Sequence, residues 1–140
     1  MKGFEIRLEC PASETRIVQL HENLVDAGQA LRDSEFDVFL LDVTSDDGTM
    51  TAGCKGEIAF KSAHISELWV DRRHRGEGMG SELIQSAEKF AKEKGCIRLH
   101  LETRSEKARE LYEKLGYTVF GYLPNYEGEN TFYYLEKRPG

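Results

Sequence analysis

The residues best suited to chemistry lie in one stretch, Leu68-Trp69-Val70-Asp71-Arg72-Arg73-His74-Arg75-Gly76-Glu77-Gly78-Met79-Gly80-Ser81. Three glycines fall within five residues, between an apolar run and an amphipathic one. Glycines let successive backbone N–H groups aim at one point. A helix starting at the end of the turn adds its unpaired first-turn N–H groups and its positive dipole end. Arg75 and its neighbours Arg72, Arg73 and His74 supply mobile positive charge. Such a turn suits a phosphate or pyrophosphate. A Walker A loop is excluded, because it needs Gly-Lys-Ser/Thr where this turn ends Gly-Met-Gly-Ser. The dinucleotide fingerprint fits poorly too, since the third glycine comes one residue early. The plain alternative is a glycine-rich connection with no ligand.

A turn of this kind needs a strand before it and a helix after it, and the hydrophobic pattern supplies both. Ala63–Asp71 reads as a strand, and Gly78–Lys94 carries Leu83, Ile84, Ala87, Phe90 and Ala91 on one helical face, with Gly95 as its stop. Upstream, Phe4–Glu9 alternates like a half-buried strand. Ser13 is a helix N-cap, and Glu14–Arg32 is a helical pattern that Gly28 breaks into two short helices. Strands follow at Asp37–Thr44 and Thr51–Phe60, joined through Asp46-Asp47-Gly48. Downstream, Cys96–Thr103 points Ile97, Leu99 and Leu101 inward and Arg98, His100 and Glu102 outward. Ser105–Leu115 is a helix with Ala108, Leu111, Tyr112 and Leu115 on its face, closed by Gly116. Tyr117–Leu123 and Thr131–Lys137 are strands joined by the turn-rich Pro124–Gly128. The order β-α-α-β-β-β-α-β-α-β-β predicts an α/β fold, a mixed sheet flanked by helices in a single domain over residues 1–140.

Arg75-Gly76-Glu77-Gly78-Met79-Gly80 resembles the R/Q-x-x-G-x-G/A motif of the GNAT superfamily of N-acetyltransferases. Ala108-Arg109-Glu110-Leu111-Tyr112-Glu113-Lys114-Leu115-Gly116-Tyr117 resembles that family's A-x-x-L-Y-x-x-x-G-F/Y element. The similarity spans Ile65 to Gly121, including the strand Glu67–Val70, and the element order is the family's. It implies the GNAT-like acyl-CoA N-acyltransferase fold. The implied activity moves an acetyl group from acetyl-CoA to a primary amine of a small molecule or peptide, directly, in a ternary complex. The rival reading is a non-catalytic acyl-CoA-binding sensor or regulatory module, which would keep the turn and lose the proton donor.

Acetyl transfer to an amine requires loss of a proton from the amine, stabilisation of the oxyanion, and protonation of the departing thiolate. The resemblance gives the last task to Tyr112, a phenol whose ordinary pKa of about 10 lies above that of a thiol. It gives the pyrophosphate to Arg75, Gly76, Glu77, Gly78, Met79, Gly80 and Ser81. The backbone of Leu68, Trp69 and Val70 would pair with pantetheine along a bulged strand. Glu67 is the expected general base, with Glu57, Glu102 and His100 as substitutes on adjacent strands. Ser105 stands where relatives often carry an Asn that bonds the pantetheine arm, and it reads equally as a helix N-cap. His21, His64 and His74 show no metal spacing, and no metal is expected.

Composition fits one compact domain. The 140 residues are 39% hydrophobic and 31% charged, and no run approaches the ~20 apolar residues of a membrane span. The N-terminus lacks the apolar core of a secretory signal. Cys10, Cys54 and Cys96 are odd in number and hold no C-x-x-C pair, which predicts reduced thiols in the cytoplasm. The net charge of −6 is uneven: residues 1–70 hold 6 Lys and Arg against 13 Asp and Glu, residues 71–140 hold 13 against 12. The acidic half suits a cationic acceptor, and serves solubility equally well. No basic stripe predicts nucleic-acid binding. The choice between monomer and homodimer stays open.

Overall fold

The structure, a computed structural model, describes residues 3–139. Contacts divide the chain into two units, Met1–Glu35 and Phe36–Gly140. In the first unit, helix α1 (Glu14–Asp26) starts at Ser13, whose hydroxyl accepts the Arg16 N–H at 3.3 Å. Gly28, at φ +73°, then turns the chain through a region that side chains disfavour.

Two expectations need correction here. Phe4–Glu9 carries no strand: alternation marks a segment able to pair, but a ladder also needs a neighbour that alternation does not supply. The second helix is only a 3₁₀ turn, Asp33–Glu35, because too few residues remain after Gly28 to repay helix nucleation.

The second unit holds β1 (Asp37–Thr44), β2 (Met50–Ala59), β3 (Ser62–Val70), α2 (Met79–Glu93), β4 (Arg98–Thr103), α3 (Glu106–Lys114), β5 (Thr118–Glu127) and β6 (Asn130–Lys137). These form one six-stranded mixed sheet in the order β1-β2-β3-β4-β6-β5. Among the described residues only β3 and β4 are parallel neighbours, and α2 is the crossover that a parallel pair requires. The mixed α/β fold is therefore the expected one. β5 runs beyond its expected end to Glu127, across a register break after Leu123, so the turn shrinks to Gly128-Glu129.

Leu83, Ile84, Ala87 and Ala91 of α2 are buried against Ala52, Cys54, Ile65, Leu99 and Leu101 of the sheet. Each large apolar side chain so buried contributes about 1.5–3 kcal/mol. Tight packing sets one glycine. A Cβ at Gly56 would lie 2.4 Å from Phe39 Cζ and 2.7 Å from the His64 carbonyl, so β2 passes the Phe39 ring only without a side chain. Phe39 in turn packs on Phe90 of α2, ring centroids 5.2 Å apart.

Candidate active site

β3 and β4 are in register only from Ser62/Arg98 to His64/His100. Beyond that point β3 runs on to Val70 and β4 to Thr103, and the two part. A bulge accounts for the parting. Lys55 lies opposite Glu67 and Gly56 opposite Ile65, so Ser66 is an extra residue on β3. Its hydroxyl donates to the Lys55 carbonyl at 3.3 Å. A bulge bends its strand and sharpens the local twist, which keeps β3 on β2 and turns it from β4. The gap is a cleft of about 650 Å³, walled by residues 65–69 of β3, residues 101–104, and Ala108 and Tyr112 of α3.

At the end of β3, Asp71 caps a 3₁₀ turn (Arg72–His74), accepting the Arg73 N–H at 3.0 Å. The Arg75 Nε donates to the Val70 carbonyl at 3.2 Å and ties the turn back to the strand. His74 and Glu77 pair at 3.1 Å across the turn. Gly76 and Gly78 both sit at φ +85°, where a Cβ would meet nothing within 4 Å. Backbone conformation, not crowding, demands glycine there, and the space in front stays open. α2 starts at Met79 with Gly78 as its N-cap. Among the described residues no side chain caps its first turn, so the N–H groups of Met79, Gly80 and Ser81 have no side-chain partner there.

Several contacts fix α3 and with it Tyr112. Ser105 is its N-cap, accepting the Ala108 N–H at 3.1 Å. The Tyr133 hydroxyl of β6 donates to Glu106, and the Arg109 guanidinium lies 5.2 Å from the Tyr133 ring centre. Tyr112 is the buried residue of this helix, 7% exposed, with its ring 6.1 Å from that of Tyr117. Burial first, then electrostatic interaction with Cys54 and Glu102, pushes its phenol pKa up, so it stays protonated beyond the ordinary range.

A group of ionisable residues stands at the root of the cleft. His64 Nε2 meets both carboxylate oxygens of Glu102, at 2.8 and 3.0 Å. The His64 and His100 rings stack at 4.8 Å, and His64 Nδ1 lies 3.7 Å from Glu57 Oε2. Burial, and then His64, lower the His100 pKa and favour its neutral form. Glu67 lines the same cleft but is exposed and has no hydrogen-bond partner among the described residues. Among the described residues no group of three His, Cys, Asp or Glu could hold a metal ion.

The structure thus brings Glu67, Leu68, Trp69 and Tyr112 to one cleft, with Val70 and Arg75–Ser81 directly after it in the chain. Ser105 is not among the cleft-lining residues. Sequence reasoning tested His64 only as a metal ligand and missed its bond to Glu102. The outward alternation of His100 and Glu102 was a usable signal, but the register of two parallel strands far apart in sequence was not.

Residues 5–117 match the acetyltransferase (GNAT) family. The chain belongs to that family and is a small acetyl-CoA-dependent N-acetyltransferase. It is 36% identical over 91 residues to the blasticidin-S acetyltransferase of Streptomyces morookaense, covering 64% of this chain and 67% of that one. To an acetyltransferase of Agrobacterium fabrum it is 30% identical over 96 residues, 69% and 70% of the two chains. A crystal structure of an acetyltransferase from Bacillus cereus matches with a TM-score of 0.83 at 28% identity, over 96% of this chain and 97% of that one.

Proposed function

We propose that this protein transfers the acetyl group of acetyl-CoA directly to a primary amine of a small molecule or peptide, and prefers a cationic acceptor. The observation that carries this reading is the parting of β3 and β4 beside a buried tyrosine. The edge of Leu68–Val70 that faces away from β2 suits an amide-bearing pantetheine arm. The uncapped start of α2 and the turn Arg75–Ser81 suit the pyrophosphate. Bound there, acetyl-CoA supplies an activated thioester. Tyr112 keeps its proton until the sulfur needs one, because burial holds its pKa up. Carboxylates on the cleft wall, Glu67 and Glu102, attract the ammonium, and a carboxylate there receives its proton. Ser105 serves pantetheine only through whatever bonding its cap to Ala108 leaves over.

The relative named for blasticidin S acts on a small molecule, which supports small-molecule acceptors as the first class to test. We place the reaction in the cytoplasm, in keeping with three unpaired cysteines. No described helix is long and apolar enough to cross a membrane. The test is a screen of polyamines, aminoglycosides, blasticidin S and peptide N-termini, with free CoA thiol as readout. Turnover with at least one amine, fastest for polycations and slowed by salt beyond ~0.1 M, is the expected result. Binding of acetyl-CoA without turnover on any amine would favour the sensor reading instead.

A further inference from the structure

We propose that Glu102, held in place by His64, takes the proton from the acceptor's ammonium. This rests on the acetyl-transfer reading and assigns a step within it. Glu102 lines the cleft that Tyr112 lines, and its charge acts on the Tyr112 phenol. A base that serves the attacking nitrogen must stand near the group that serves the departing sulfur. Glu67 stands on the opposite wall without a hydrogen-bond partner among the described residues.

The carboxylate is also oriented. An ionised carboxylate only accepts, so His64 Nε2 carries the hydrogen that it shares between the two Glu102 oxygens, and each oxygen keeps lone pairs for the ammonium. His64 is held in turn by the stacked His100, and Glu57 Oε2 lies 3.7 Å from its other nitrogen. One Glu57 oxygen receives the Lys55 ammonium at 3.0 Å, while the other, Oε2, is buried without a hydrogen bond among the described residues. The titratable and charged groups around the pair are Lys55 and Glu57 of β2 and Arg98 and His100 of β4, with Glu136 of β6 beside His100.

The step balances. The ammonium gives one proton to Glu102, which releases it to water. The freed lone pair forms the C–N bond as the C–S bond breaks and its electrons leave on sulfur. Tyr112 protonates that sulfur and recovers a proton from the nitrogen's second N–H. In sum, R–NH₃⁺ and the thioester give the amide, the thiol and one H⁺.

Initial rates with acetyl-CoA and the best acceptor from the screen, from pH 6 to 10, test the assignment. Glu102→Gln should lose roughly 100-fold in kcat/KM at pH 7. Its rate should then climb about tenfold per pH unit towards the amine pKa near 10, because only amine already neutral reacts. His64→Gln should tilt the profile the same way while leaving the acetyl-CoA Kd within twofold. Glu67→Gln should lose less than tenfold, in acceptor KM, and keep the shape of the unaltered profile. A flat profile in Glu102→Gln, or the tilted one in Glu67→Gln, would overturn the assignment. A His64→Gln enzyme that is slower without the tilt would reduce His64 to a structural residue and overturn its part. Failure of the unaltered protein to acetylate any amine would instead remove the parent reading.

Discussion

From Ser62 to His64, β3 runs in register with β4, and Ala63 and Leu99 are wholly buried there. A few residues on, the same two strands stand apart and Trp69 is 48% exposed. The closed end is ordinary sheet, in which β3 has a strand on either side and apolar side chains pack under α2. The open end leaves one edge of β3 without a strand, an arrangement that burial alone would not select. One extra residue, Ser66, separates the two regimes. The closed end holds His64 against Glu102, and the open end is where the proposed function puts binding and transfer.

Substitutions at the two ends should therefore fail in different ways. Leu99→Ala empties a wholly buried position at the closed end and should cost about 2–5 kcal/mol of stability, read from denaturant melts. Below its melting point it should still bind acetyl-CoA. Tyr112→Phe should do the reverse: stability and acetyl-CoA affinity close to the original, with kcat down roughly 10- to 1000-fold. If Tyr112→Phe turns over at the original rate, water or another group protonates the sulfur. Gly78→Val places a branched side chain at φ +85°, with a strain of about 1–2 kcal/mol. Its Cβ meets no protein atom within 4 Å apart from its chain neighbours, so a loss of affinity is expected from strain in the turn and from contact with the ligand. Calorimetry should show an acetyl-CoA Kd raised by about tenfold or more, that is ~1.4 kcal/mol.

The smallest effect probes the wall behind the cleft, where Cys54 of β2 lies opposite Leu68. Burial pushes its thiol pKa up to about 11, so at pH 8 it stays a thiol and resists alkylation. Exposed Cys10 should react with iodoacetamide first, and Cys54 should join only as the pH nears 11 or the fold opens. Mass-resolved labelling checks this, and equal rates at pH 8 would mean that the wall is not closed.

Local signals made much of this legible in the sequence. Period-two and helical spacing located β1, β2, β3, α2, α3 and β6 to within a residue or so, because each buries one face. Gly76 and Gly78 marked the turn because only glycine accepts φ +85° freely. Tyr112 came from a motif. The helical pattern put it on the inner face beside Leu111, and packing made Tyr112 the buried one. What stayed hidden depends on contacts between distant segments. His64 and Glu102 are 38 positions apart, and their meeting follows from the β3–β4 register. The bulge at Ser66 is likewise a property of the β2–β3 ladder. Phe4–Glu9 shows the opposite error, in which a sound local pattern did not make a strand.

Amide hydrogen exchange with and without acetyl-CoA tests the central claim most directly, because it reads both ends of β3 in one experiment. Binding in the open end should slow exchange across Leu68–Val70 and Gly76–Ser81, and leave Ala63, His64 and Leu99 at their already slow rates. Protection confined to other segments, or spread evenly along β3, would contradict the assignment of the thioester to the gap between β3 and β4.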